Sequence, residues 1–145
     1  MGEDLKVLVS ITGVQSGLHG EENTIELLTE GTLSYGEDTT SITYAESEIS
    51  GMEGSQTIIS ILGDAVSVHR SGRYGSNFVF KKGEKCLNVY ATPFGRMQMG
   101  AFPLKVYTNI GEQEGEVDLE YEIEIQGQNA GLNRLRVCYW PSGTP

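Results

Sequence analysis

An all-β, antiparallel architecture is what this 145-residue sequence predicts, on three observations. Apolar and polar residues alternate with period two along almost every segment, and no stretch keeps an apolar stripe at the 3.6-residue spacing of a helix. The alternating runs are short and are separated at steady intervals by turns rich in glycine, asparagine and aspartate. Pairing the best-marked runs as hairpins sorts apolar residues onto one face and polar or charged residues onto the other. About ten strands in a single domain over 1–145 follow. An up-and-down barrel accommodates them and leaves no exposed edges, and a β-sandwich is the alternative.

The elements follow in order. Strands are expected over 6–12, 24–35 and 41–49, with a turn at Gly36-Glu37-Asp38 and another marked by Gly51 and Gly54. Gly63-Asp64 is a two-residue hairpin loop of a kind that suits primed turns. It sets Ile61 opposite Val66, Ile59 opposite Val68 and Thr57 opposite Arg70. Gly72 and Gly75 mark the next turn, followed by strands over 77–81 and 85–92 around Lys82-Gly83-Glu84. Thr92-Pro93-Phe94-Gly95 fits a type I turn, with proline second and glycine fourth. Strands over 96–101 and 104–110 come next. Val117, Leu119, Tyr121, Ile123 and Ile125 then alternate with Asp118, Glu120, Glu122 and Glu124, a half-buried strand with an acidic outer face. Centring the last hairpin on Asn129 sets Ile123 opposite Leu135, Tyr121 opposite Val137, Glu124 opposite Arg134 and Glu122 opposite Arg136. The tail, 141–145, is expected to fray.

Composition narrows the function classes. A net charge of −10 repels phosphate backbones and anionic lipid, so neither nucleic acid nor a membrane surface is expected as a partner. The opening Met1-Gly2-Glu3-Asp4 lacks the positive charge of a signal peptide, and no apolar run is long enough to span a bilayer. With Cys86 and Cys138 as the two cysteines, the expectation is a cytoplasmic protein with free thiols, Cys138 sharing the outward parity of Arg134 and Arg136. No phosphate-binding loop, nucleophile elbow or paired-cysteine motif occurs, and His19 and His69 have no zinc-ligand spacing, so neither cofactor nor metal is expected. Gly72-Arg73-Tyr74-Gly75 copies an RNA-clamping loop but lies between strands rather than helices. From Arg70 to Lys85 there are five basic residues and one acid, an edge for an anionic ligand or acidic partner, or lysines that keep an edge strand soluble.

The candidate site comes from parity. Glu46 shares a face with Ile42 and Tyr44, Arg70 with Val66 and Val68, and Thr108 with Leu104 and Val106. If those faces line the interior, then Tyr44, Glu46, Arg70, Thr108 and Tyr121 form an interior polar cluster. Arg70 is its centre and Glu46 the counter-charge, because an unpaired buried guanidinium costs several kcal/mol. The cluster either fixes barrel closure or anchors a ligand carboxylate or phosphate.

At these residues the chain resembles the YwiB-like family of bacterial proteins with a domain of unknown function. The resemblance is carried in order by Glu30-Gly31, Tyr44-Ala45-Glu46, Arg70-Ser71-Gly72, Tyr90-Ala91-Thr92-Pro93-Phe94-Gly95, Thr108 and Leu119-Glu120-Tyr121. It implies a lipocalin-like (calycin) barrel and a bacterial cytoplasmic protein, supplies no activity, and adds Tyr90 and Thr92 to the candidate ligand-binding residues. The reading is a non-catalytic barrel holding a small, anionic molecule in its interior. The alternatives are an interaction or homodimeric assembly module, since Ile58 and Leu62 face away from Ile59 and Ile61, and an enzyme of unknown reaction.

Overall fold

Ten strands carry the alternation: β1 Leu5–Ser16, β2 Glu22–Tyr35, β3 Thr39–Ala45, β4 Ser55–Leu62, β5 Ala65–Gly72, β6 Ser76–Phe80, β7 Cys86–Thr92, β8 Gly95–Ile110, β9 Gly115–Ile125 and β10 Gln128–Pro141. The computed structural model describes residues 4–46, 54–72, 75–92 and 95–142, with only the backbone for 90–92. The expected turns involving Gly51, Arg73, Tyr74, Pro93 and Phe94, and the end of the expected 41–49 strand, lie outside the described residues.

All strands join one antiparallel sheet in the order β6-β5-β4-β3-β2-β1-β10-β9-β8-β7. Neighbours in sequence are neighbours in space, except that β1 also pairs with β10, Ile11 opposite Val137. The two ends of the sheet meet at a seam. There Lys81 bridges Glu84, and the Asn88 amide donates to the carbonyl of Asn77. The result is a nearly closed up-and-down barrel, which removes the sandwich alternative. Inward positions of β1 to β6, β9 and β10 supply large apolar side chains that are almost wholly buried, among them Val9, Leu33, Ile42, Ile59, Val66, Leu119 and Tyr139. Cys86 packs against this core, while Cys138 faces outward opposite Ser10.

Local chemistry explains where the sequence reading holds and where it slips. The Gly63-Asp64 hairpin has the expected register, Thr57 opposite Arg70 and Ile61 opposite Val66. Gly63 sits at φ +61, as the first place of a type II′ turn requires. The last hairpin is corrected by four residues. Leu135 faces Leu119, Val137 faces Val117, Arg134 faces Glu120 and Arg136 faces Asp118. Its turn is Gln126-Gly127, at φ +52 and +82, with an irregularity between Asn129 and Gly131. An even slip returns every side chain to its face, so an acid-for-apolar alternation cannot choose among such registers.

The expected strands over 96–101 and 104–110 are one strand, β8, broken in register between Pro103 and Lys105. Proline cannot donate to a ladder and is found at such bulges. The extra residue turns Leu104 outward, 40% exposed, whereas Val106 packs on the core. The shared face of Leu104 and Val106 is therefore corrected. At the chain end, Pro141 still pairs with Val7, and the Ser142 N–H donates to Lys6 at 3.2 Å. Residues 143–145 lie outside the described residues.

Outside, the acidic face of β9 is partly neutralised by bases on its neighbours. Asp118 is held by Lys105 at 3.1 Å and Arg134 at 3.3 Å, and Glu116 by Arg136 at 2.9 Å. Burial alone would raise the Asp118 pKa, but the hydrogen bonds and charges of Arg134 and Lys105 outweigh it and hold the carboxyl below its ordinary value. A depressed folded-state pKa contributes stability above the ordinary carboxylate value, and that contribution is lost as the pH falls through the folded value. Chemical denaturation across pH should therefore show Asp118→Asn less stable than the native chain near neutrality, with the gap closing below about pH 4. A gap independent of pH would contradict this.

Candidate binding site at the barrel end

Strand register assembles the polar cluster. Tyr44 on β3 faces Thr57 on β4, Thr57 faces Arg70 on β5, and Arg70 faces Ser76 on β6. All four side chains point inward along one row. Glu46 follows Tyr44 at the next inward position, tied in by its N–H donating to Ser55 at 2.9 Å. The row lies where β3 and β5 end and β4 and β6 begin, so it occupies one end of the barrel rather than its middle.

The electrostatics are those of a nearly desolvated pair. The Glu46 side chain is 4% exposed and that of Arg70 17%. The Thr57 hydroxyl donates to Glu46 Oε2, while the guanidinium approaches the same oxygen only to 3.7 Å. That distance holds the charges together without a good hydrogen bond, since N–H···O bonds span about 2.7–3.2 Å. Arg70 Nε is buried with no hydrogen-bond partner among the described residues. Burial and then the Glu46 charge push the Tyr44 hydroxyl pKa well above the ordinary phenol value, so it stays a neutral donor. The result is a fixed carboxylate, two hydroxyls and an arginine whose Nε–H has no acceptor among the described residues.

Of the residues expected from the sequence, the structure groups Tyr44, Glu46 and Arg70. Thr108 is not among them. It faces Val117 near the far end of β8, while the Arg70 row lies at the barrel end where β8 starts. Tyr121 packs its ring on Phe80 with centroids 4.7 Å apart. Phe80 is level with Val66, four residues along β5 from Arg70. The expected placement of Thr108 and Tyr121 around the guanidinium is corrected accordingly, because shared parity fixes the face of a strand and not the level along it. Tyr90 and Thr92 pair with Met97 and Gly95, and their side chains lie outside the described residues. The sequence reading missed Thr57 and Ser76 as members. Thr57 had a signal, since it shares parity with Ile59 and Ile61 and falls opposite Arg70 in the correctly read hairpin.

A second buried phenol lies elsewhere in the barrel. Tyr139 is 1% exposed and its hydroxyl has no hydrogen-bond partner among the described residues. Burial, then the neighbouring Tyr35, pushes its pKa up to about 12. It fits because its cross-strand partner is Gly115, where a Cβ would stand 2.7 Å from the phenol oxygen. Tyr44 likewise lies across from a glycine, Gly31. On the outer wall, a depression of about 220 Å³ lies over Gly31, flanked by Lys6, Glu30, Thr43 and Gln56.

Comparisons with known proteins agree with this architecture. In sequence, the chain is 22% identical over 120 residues to the "Uncharacterized beta-barrel protein YwiB" of Bacillus subtilis, covering 83% of each chain. In structure, it is similar to the crystal structure of the ywiB protein from Bacillus subtilis with a TM-score of 0.85, at 20% identity over 99% of this chain and 96% of that one. Residues 9–137 match the family described as "Domain of unknown function (DUF1934)". That match spans most of the chain, which therefore belongs to the DUF1934 family, the family of the YwiB-like β-barrel proteins.

Proposed function

We propose that this protein is a non-catalytic, lipocalin-like barrel that binds a small molecule bearing a carboxylate or phosphate at the end lined by Arg70, Glu46, Tyr44 and Thr57. The supporting observation is the Nε of Arg70, which is buried and has no hydrogen-bond partner among the described residues, while the terminal guanidinium nitrogen comes only within 3.7 Å of the Glu46 carboxylate. A buried donor without an acceptor costs about 1–3 kcal/mol, and a ligand oxygen would recover it. A carboxylate also suits the planar fork of a guanidinium. Apolar side chains fill the middle of the barrel, so the ligand belongs at the mouth rather than deep inside. The cytoplasm, where Cys86 and Cys138 stay reduced, is the compartment that fits this reading.

The test is thermal denaturation with succinate, benzoate and inorganic phosphate as probes. At least one should raise the melting temperature of the native protein. None should do so for the paired variant Glu46→Leu/Arg70→Met, which removes both charges together. No rise with any probe, or an equal rise in the paired variant, would overturn the assignment.

A further inference from the structure

The hairpin that joins β6 to β7 carries a conflict between its turn and its faces. Lys81 bridges Glu84 around Lys82-Gly83, with Gly83 at φ +81 and the Glu84 N–H donating to the Lys81 carbonyl at 3.0 Å. A two-residue loop fixes the register of the strands it joins. Carried on from that bridge, the register sets Phe78 opposite Leu87 and Ser76 opposite Val89, and directly opposed residues share a face. Phe78 and Phe80, however, are buried in the core, whereas Leu87 is 58% exposed across from Gly100 and beside Glu124 on the outer wall. Continuing the ladder would turn either the phenylalanines of β6 or the paired strand β7 inside out. The ladder therefore stops at its first bridge, while every other junction between neighbouring strands runs for at least five residue pairs.

The two ends of this seam are held differently. At the turn end the loop itself ties β6 to β7, and Phe80 packs on Tyr121 of β9 from inside, 4.7 Å between ring centroids. At the other end Ser76 faces Arg70, and the next residue, Asn77, is reached by a side chain. The Asn88 carboxamide donates to the Asn77 carbonyl of β6, and its oxygen accepts from the Val89 N–H of β7 at 2.8 Å. It stands in the seam where a ladder would place a peptide group. We infer that this seam is the line along which the barrel opens, hinged at the Lys81–Glu84 turn and latched by Asn88, and that small molecules reach the Arg70 row through it. Opening there breaks no ladder, so it costs less than parting any other pair of neighbouring strands. The opening stands on strand register alone. Its use as a ligand entrance rests on the anion site proposed above, since a guanidinium this buried needs a path by which water and anion exchange.

Thiol labelling of the full chain with dithiodipyridine, a neutral disulfide reagent, tests this, the modified position being read by peptide mass. Ser76→Cys and Thr57→Cys each put a thiol on the Arg70 row, the first beside the seam and the second two strands away from it. Asn88→Ala removes both hydrogen bonds of the latch and should speed labelling at position 76 about tenfold. Labelling at position 57, and at the outward Cys138, should stay as it was. Asn88→Asp keeps an acceptor for the Val89 N–H but loses the donor to Asn77. It should speed labelling at position 76 likewise, and it serves where Asn88→Ala fails to fold. No acceleration at position 76 would overturn the proposal. So would an equal acceleration at position 57, which would mean entry through the barrel end or a loosening of the whole barrel. The labelling needs no bound anion, so its outcome is separate from that of the melting experiment with succinate, benzoate and phosphate.

Discussion

Replacing Glu46 by leucine is expected to destabilise the protein by about 3 kcal/mol, the low end of what breaking a buried ion pair costs. Two groups lose their partner at once. The Arg70 guanidinium is left charged in a largely desolvated site, and the Thr57 hydroxyl loses its acceptor. The low end applies because the Arg70 side chain is 17% exposed and can draw in water. The decisive comparison is the paired variant Glu46→Leu/Arg70→Met. Removing both charges in favour of apolar groups of similar volume is often nearly neutral, so this variant should lie within about 1 kcal/mol of the native chain. Urea denaturation midpoints at constant slope measure both differences. If Glu46→Leu is neutral, or if the paired variant loses as much as the single one, the two side chains do not form a coupled pair.

Gly131→Ala should be comparably damaging, by about 3 kcal/mol, from backbone strain and overpacking together. Gly131 sits at φ +124, a conformation that side-chain-bearing residues rarely adopt. A Cβ there would also run into the backbone carbonyl oxygen of Ser16. No side chain can swing aside, because the obstacle is the main chain at the end of β1. The position is fixed further by its own N–H donating to Asn129 Oδ1 at 2.8 Å. Gly127 supplies the internal comparison, at φ +82 with open space around its missing Cβ. Gly127→Ala should cost only the left-handed backbone penalty of about 1 kcal/mol. Equal losses in the two variants would mean that the Ser16 contact is not what makes Gly131 a glycine.

These two sites mark how far the sequence could be read. Side-chain direction was legible almost everywhere. Ile42, Tyr44 and Glu46 point inward, as do Val66, Val68 and Arg70, while Asp118, Arg134 and Arg136 point outward. The Gly63-Asp64 hairpin was legible in full because a two-residue glycine turn leaves one register. The last hairpin was not. Its turn begins at Gln126, a residue with no strong turn preference, and the regular acids of β9 make every even shift look equally good. Leu104 was misplaced for a related reason. A bulge inserts one residue and reverses parity beyond it, and Pro103 was the only hint in the sequence.

What the sequence determined by itself is therefore local: the strands, most turns, the face of each side chain and the presence of a buried acid and base. What only the tertiary structure decided is level and closure. Thr108 and Tyr121 had the right parity to join Arg70, yet the row through Arg70 holds Tyr44, Thr57 and Ser76 instead. The choice of barrel over sandwich likewise rests on β1 meeting β10, with Ile11 opposite Val137, and on the seam at Asn77 and Asn88. The physical reason is the period of the strand. Alternation repeats every two residues and encodes a face wherever the chain happens to lie, whereas level and closure depend on which distant strands pair and in what register.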